Sequence, residues 1–313
     1  MKSSSPAGRR RQVRVLVNPK SGLGASFDSF WGVLEERFGA DADVAYQFSN
    51  DVADGRRKAA RAVRDGVDAL LVAGGDGMVN SIGGVLVGTP VALGVIPTGS
   101  GNGFARHFGI PLDLAGAAEA LARARRRLID VGTANGHPFF VTCSLAWDAA
   151  IAQRFATFPF RGIAPYVFAA AAELITYEDQ PLHVSLDGAP AQSLPNPIIF
   201  TVANLTQYGG GAQIAPKARP DDGLMEMVVV LRPDLPLLLV NLGRLFTGTI
   251  DQLPQIATRR FRTLDVHRRK ASPIQLDGEL VDAGRDLEIR LLPKALCVLV
   301  PPAAPAAGAS PFH

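Results

Sequence analysis

Two glycine-rich breaks and two later acidic pairs are the places in this chain where residue type and spacing could do chemistry. The first break, Ala73–Gly84 (AGGDGMVNSIGG), follows the apolar run VDALLV and sets Asp76 among Gly74, Gly75 and Gly77. The second, PTGSGNG, spans Pro97–Gly103 and follows VALGVI. Glycine lets the backbone approach a ligand without a Cβ in the way and exposes successive N–H groups that can cradle phosphate oxygens. Helices that start just after each break would add a dipole favouring an anion. Two such breaks closing strands of one domain point to a phosphate site. No G-x-x-x-x-G-K-[ST] pattern occurs, which excludes a P-loop. A dinucleotide fingerprint fails too, because Phe104 or Arg106 stands where its third glycine is required. The acidic pairs are Asp221-Asp222 in PDDGL and Asp277 with Glu279 in LDGE. Asp-Gly between strands is ordinarily a hairpin turn, and for Asp187 in SLDGAP that reading is kept.

The elements that must hold these residues fall into two halves. QVRVLVNP alternates with period two and reads as a strand. FDSFWGVLEERF carries Phe27, Phe30, Leu34 and Phe38 at helical spacing. VDALLVAGG and VALGVIPTG are continuous apolar runs ended by glycine, as in strands buried on both faces of a parallel sheet. Helical patterns in GRRKAARAVRD and DLAGAAEALARARRR complete a βαβ rhythm. From about Asp130 strand-like pieces dominate, which predicts a second, mainly antiparallel β domain, although PYVFAAAAELITY and PLLLVNLGRLF keep helical patterns. The expected division is a flexible N-terminus over 1–11, an α/β domain over 12–133, a β-rich domain over 134–300 and a disordered tail over 301–313.

Composition bounds the rest. Of 313 residues, 47% are apolar and 19% charged, so a sizeable interior can be buried. A formal charge of only +3 does not call for nucleic acid, and none is expected as a partner. GRRRQVR, RRKAARAVR, RARRR and HRRK read as solvated faces and a frayed terminus. The alternative is attraction to an anionic membrane, worth about 1 kcal/mol per nearby basic residue. Cys143 and Cys297, the two cysteines, lie in apolar runs without metal-ligand spacing, which suits a reducing, cytoplasmic compartment. No apolar segment follows the early basic residues, so no signal peptide is expected. YVFAAAAELI is far shorter than the ~20 apolar residues of a bilayer span, so membrane contact is expected to be peripheral. Of the histidines, His137, His183 and His267 read as surface or turn residues, while His107 could approach phosphate or pack at a helix end. Met225 and Met227 alternate on a strand and read as core. Oligomeric state is not legible.

Taken in order, VNPKSG, GGDG, PTGSGNGFARHFGIP, APKARPDDGL and LDGE resemble the bacterial diacylglycerol kinase and sphingosine kinase-like lipid kinase family, from about Val13 to Pro301. The resemblance implies a nucleotide-binding domain related to those of NAD kinases and phosphofructokinases, followed by a β-rich lipid-substrate domain. It implies ATP and Mg²⁺ as cofactors and a lipid hydroxyl as acceptor, such as that of diacylglycerol or a sphingoid base, met peripherally at a membrane surface. By position, it assigns nucleotide contacts to Asn18, Ser21 and Gly22, to Gly74, Gly75, Asp76, Gly77, Met78 and Asn80, and to Gly99, Ser100 and Asn102. Ser49, before the second helix, is a further candidate. Arg219, Asp222 and Leu224 match a structural magnesium site, with Asp222 giving its carboxylate and the other two their carbonyls. Asp277 and Glu279 match positions tied to activating the acceptor hydroxyl, and the base is one of Asp76, Asp277 and Glu279. Such transfer needs cations and N–H groups against phosphate charge and a carboxylate that holds metal or accepts a proton. A carboxylate in the phosphate turn repels ATP unless a cation stands between them, so Asp76 is expected to face Mg²⁺.

This chain departs from the family pattern at three points. Met78 stands where threonine is usual, Ser81 where a glutamate follows Asn80, and Gly103 where many members have aspartate. The first two leave open a catalytically weakened or inactive lipid- or nucleotide-binding homologue. A kinase of a soluble substrate such as NAD is the remaining alternative, because GGDG is shared.

Overall fold

The computed structural model describes residues 9–19, 27–39, 42–147 and 180–302. Ser21, Gly22, the apolar segment expected to be helical over 165–177, most of the N-terminus and the tail from 303 lie outside them. The chain divides into two compact units. Unit one comprises residues 1–99, 108–127 and 296–313; unit two comprises 100–107 and 128–295.

Unit one is built on parallel strands β1 (Arg11–Val17), β2 (Ala42–Phe48), β3 (Ala69–Gly74) and β4 (Ala92–Pro97), in the order β2-β1-β3-β4. Every residue of β3 and β4 is buried, as continuous apolar runs in a helix-covered sheet require. Helices α1 (Phe27–Phe38), α2 (Val52–Arg64) and α3 (Asp76–Leu86) follow β1, β2 and β3. The next helix, α4 (Gly103–His107), belongs to unit two, and α5 (Leu114–Ala122) returns to unit one. The helical spacing of α1 buries Phe30, Leu34 and Phe38 in one core with Val13, Val15 and Val17. On α2, Asp51 accepts the Asp54 N–H at 2.7 Å as an N-cap. The end of a distant strand completes the sheet: Val298 pairs with Leu93 in parallel, and Cys297 and Leu299 enter the core.

Unit two is antiparallel. β5 (Arg125–Ala134) pairs with β6 (His137–Phe139). One sheet then joins β7 (Thr142–Ser144), β10 (Pro197–Ala203), β13 (Met225–Leu231), β14 (Ala257–Phe261), β16 (Ile274–Leu276) and β17 (Glu279–Val281), in the order β14-β13-β10-β7-β16-β17. A second group pairs β8 (Leu182–Leu186) with β9 (Gln192–Leu194) and with β15 (Thr263–Arg268). β15 in turn pairs with the first residues of β18 (Asp286–Val300). A short ribbon of β11 (Gln207–Gly209) and β12 (Ala212–Gln213) and the helices α6 (Leu235–Val240) and α7 (Gly243–Thr247) complete it. Phe139, Phe200, Phe261, Met225, Met227, Leu264 and Ile289 share the core between the two groups of strands. The expected α/β domain and antiparallel β domain are both present. Among the described residues no helix is long and apolar enough to cross a membrane.

Candidate active site

In unit one the parallel register lines up the strand ends. Val17 pairs with Ala73 and Gly74 with Pro97, so Asn18, Gly75 and Thr98 leave the sheet along one edge. The Asn18 N–H donates to the Ala73 carbonyl at 3.1 Å, and the Thr98 N–H to the Gly74 carbonyl at 3.2 Å. A Cβ placed on Gly75 would stand 3.2 Å from Gly99 Cα, so the two glycine breaks abut and glycine allows them to sit this close. Gly75 caps α3, and the first N–H bonded inside that helix is Val79's, to the Gly75 carbonyl. Asp76, Gly77 and Met78 thus form a helix N-terminus facing the strand edge, where an anion is favoured. The Met78 side chain stands over Gly74, its Sδ 2.7 Å from where a Cβ there would lie. The Thr98 and Ser81 hydroxyls are buried without a protein partner among the described residues. Ser49 sits at the same edge, its N–H on the Val17 carbonyl, but its hydroxyl is spent on the Asp51 carbonyl at 2.7 Å.

In unit two the remainder of the second break is folded against a glycine loop. The Gly101 carbonyl accepts the Gly210 N–H and the Arg106 Nε, and Asn102 is buried in a left-handed conformation, φ 51°. His107 belongs here: its Nδ1 accepts the Thr206 N–H at 3.2 Å and lies 3.0 Å from the Thr206 hydroxyl. LDGE is indeed a hairpin. Leu276 pairs with Glu279, and Asp277 and Gly278 form the two-residue loop with φ 50° and 94°. The Asp277 carboxylate is buried and accepts the backbone N–H groups of Phe140, Val141 and Thr142 at 2.7, 2.7 and 3.0 Å. Asp187, in the other Asp-Gly hairpin, accepts the N–H groups of Arg262 and Thr263 in the same way. Glu279 is exposed on the first residue of β17.

The PDDGL loop is held by a residue that sequence reasoning passed over. Asp130 is 1% exposed. Its two carboxylate oxygens accept the N–H groups of Gly223 and Lys294, each at 2.7 Å, and its own N–H donates to the Pro220 carbonyl. Asn204 joins the Asp130 and Phe140 carbonyls, linking this loop to the chain that holds Asp277. An acid inside the apolar run LIDVG was the available signal. Asp222 accepts the Leu224 N–H at 3.2 Å and forms an ion pair with Arg260. Arg260 Nε also lies 3.9 Å from Glu226, whose carboxyl burial pushes above the usual carboxylate range, against the pull of Arg260.

Residues 12–134 match the diacylglycerol kinase catalytic domain family, and residues 142–300 match the YegS C-terminal NAD kinase beta sandwich-like domain. The chain is 31% identical to a diacylglycerol kinase of Mycobacterium tuberculosis, covering 93% of this chain and 95% of that one. It is 29% identical to a "probable lipid kinase YegS-like" of Pectobacterium atrosepticum, covering 80% and 83%. The crystal structure of a Bacillus anthracis diacylglycerol kinase superposes with a TM-score of 0.75 over 95% of this chain and 99% of that one; at 21% identity this likeness concerns the fold alone.

Proposed function

The chain belongs to the family of diacylglycerol kinases and YegS-type lipid kinases, and we propose that it transfers the γ-phosphoryl group of ATP to the hydroxyl of a membrane lipid. The observation that carries this reading is the contact of the two glycine breaks at Gly75 and Gly99, beside the N-terminus of α3. Backbone N–H groups there meet phosphate oxygens without a Cβ between. Asn18, Gly74, Gly75, Gly77, Met78, Asn80, Gly99, Ser100 and Asn102 are assigned to the nucleotide. Mg²⁺, when bound with ATP, neutralises phosphate charge, and Asp76 is the carboxylate assigned to it.

Among the three candidate bases, the roles divide by what each carboxylate already holds. Asp277 is a positioning residue: three backbone N–H groups occupy its oxygens, fixing the Phe140–Thr142 strand against the LDGE hairpin. Glu279, exposed two residues on, is assigned the acceptor's proton as the lipid oxygen attacks the γ-phosphorus and the bond to ADP breaks.

The test is transfer of labelled γ-phosphate to diacylglycerol or a sphingoid base in vesicles. Asp76→Asn and Glu279→Gln are expected to lower turnover at least 100-fold with unchanged thermal unfolding. Full activity in both variants would overturn these roles, and phosphorylation of NAD with none of any lipid would overturn the substrate class.

A further inference from the structure

The resemblance implies a structural divalent cation on Asp222, with the carbonyls of Arg219 and Leu224. The donor set found here does not fit such an ion. One oxygen of Asp222 is engaged by the Arg260 guanidinium and the other accepts the Leu224 N–H. The pair borders a cavity of about 860 Å³ whose charged lining is Lys217, Arg219, Arg259 and Arg260 against Asp222, Glu226 and Asp251. Four cations thus face three carboxylates, and each carboxylate has a cation beside it: Arg260 lies between Asp222 and Glu226, and Lys217 Nζ is 2.7 Å from Asp251. A metal ion entering here would have to share the Asp222 carboxylate with a guanidinium and would gain little in a site already net positive.

We propose that Arg260 takes the place of the structural divalent cation, so that the PDDGL loop is held by an internal side chain and this unit folds without metal. Arg260 is positioned for this by β14, where it pairs with Glu226 of β13 in the antiparallel register. A guanidinium supplies the positive charge and directed N–H donors that a carboxylate otherwise takes from a metal. Asp130 fixes the far side of the same loop through Gly223, again with no metal needed.

The proposal is tested on the full chain without nucleotide, by thermal unfolding and by metal analysis after dialysis. The wild-type melting temperature is expected to be the same in EDTA and in millimolar Mg²⁺, with no retained metal. Arg260→Gln is expected to melt several degrees lower in EDTA and to regain most of the loss in Mg²⁺, while Arg260→Lys stays metal-insensitive. A wild-type protein that retains one equivalent of divalent metal, or whose melting temperature falls in EDTA, overturns the proposal. So does an Arg260→Gln protein that melts like wild type in EDTA. Should Arg260→Gln fail to fold, the wild-type measurements and Arg260→Lys decide. None of these readouts depends on kinase activity, so the result is separable from the proposed function.

Discussion

Asp277 and Glu226 show how differently two buried carboxylates can be held. Asp277 receives three backbone N–H groups, and each hydrogen bond to a charged group contributes about 1.5–3 kcal/mol. Asp277→Asn keeps the shape but turns an amide NH₂ toward backbone donors. The expected loss is about 2–3 kcal/mol in urea unfolding, with a smaller loss for Asp187→Asn at its exposed hairpin. An Asp277→Asn protein as stable as wild type but inactive would instead make Asp277 the base. Glu226 is 5% exposed and its carboxyl is raised, chiefly by burial. A raised carboxyl binds its proton more tightly in the folded state, so its stabilising contribution is complete in acid, below its unfolded value. That contribution fades as pH rises through the folded value. Glu226→Gln should therefore match wild type in acid and become the more stable protein toward neutral pH, read from melting curves across that range. The glycines and acids of the breaks were legible because few residue types tolerate those positions. Asp130 showed only as an acid in an apolar run and Arg260 not at all, since a single charge in a strand says nothing of its partner. HRRK misled in the same way: Arg268, expected on a solvated face, is fully buried and donates to the carbonyls of Ser272, Ala283 and Gly284.

Period and punctuation carried most of the element-level reading. Apolar runs ended by glycine gave β3 and β4, and helical spacing gave α1, because burial on two faces or one leaves a pattern in the residues themselves. What no local pattern records is that the two breaks touch, since strand order decides that. The contact makes a prediction. Gly75→Ala brings a Cβ to 3.2 Å from the Gly99 backbone, and backbone cannot swing aside as a side chain does. The expected cost is about 1–3 kcal/mol and a weakened ATP affinity in calorimetry. Gly32→Ala is the control: it lies exposed on α1 with nothing within 4 Å of the added methyl, and should gain about 0.5–1 kcal/mol from helix propensity. Met78 belongs to the same scale. Its side chain covers Gly74 at the position where the resemblance implies a threonine hydroxyl, so Met78→Thr is expected to tighten ATP binding without altering the melting temperature.

Over the whole molecule, the chain does not divide at a single point. Residues 100–107 are folded into unit two, while 296–313 belong to unit one. Local composition could not show this, because an apolar strand end such as ALCVLV looks the same whichever core receives it. Leu296 and Val298 are fully buried, and Cys297 and Leu299 are 5% and 8% exposed, all in unit one. Each such side chain contributes about 1.5–3 kcal/mol by its burial. Together they approach the 5–15 kcal/mol that is the whole stability of a typical domain. Ending the chain at Ala295 is therefore expected to unfold unit one, seen as lost protection of the β1 and β3 amides in hydrogen exchange and as lost ATP binding. A fragment of residues 1–133 lacks the same strand end and is expected to be unfolded for the same reason. Val298→Asp, which breaks the pairing with Leu93 by burying a charge, should reproduce the loss without shortening the chain. If the chain ending at Ala295 binds ATP with native affinity, the last strand adds nothing to the nucleotide unit and this account of its stability is wrong.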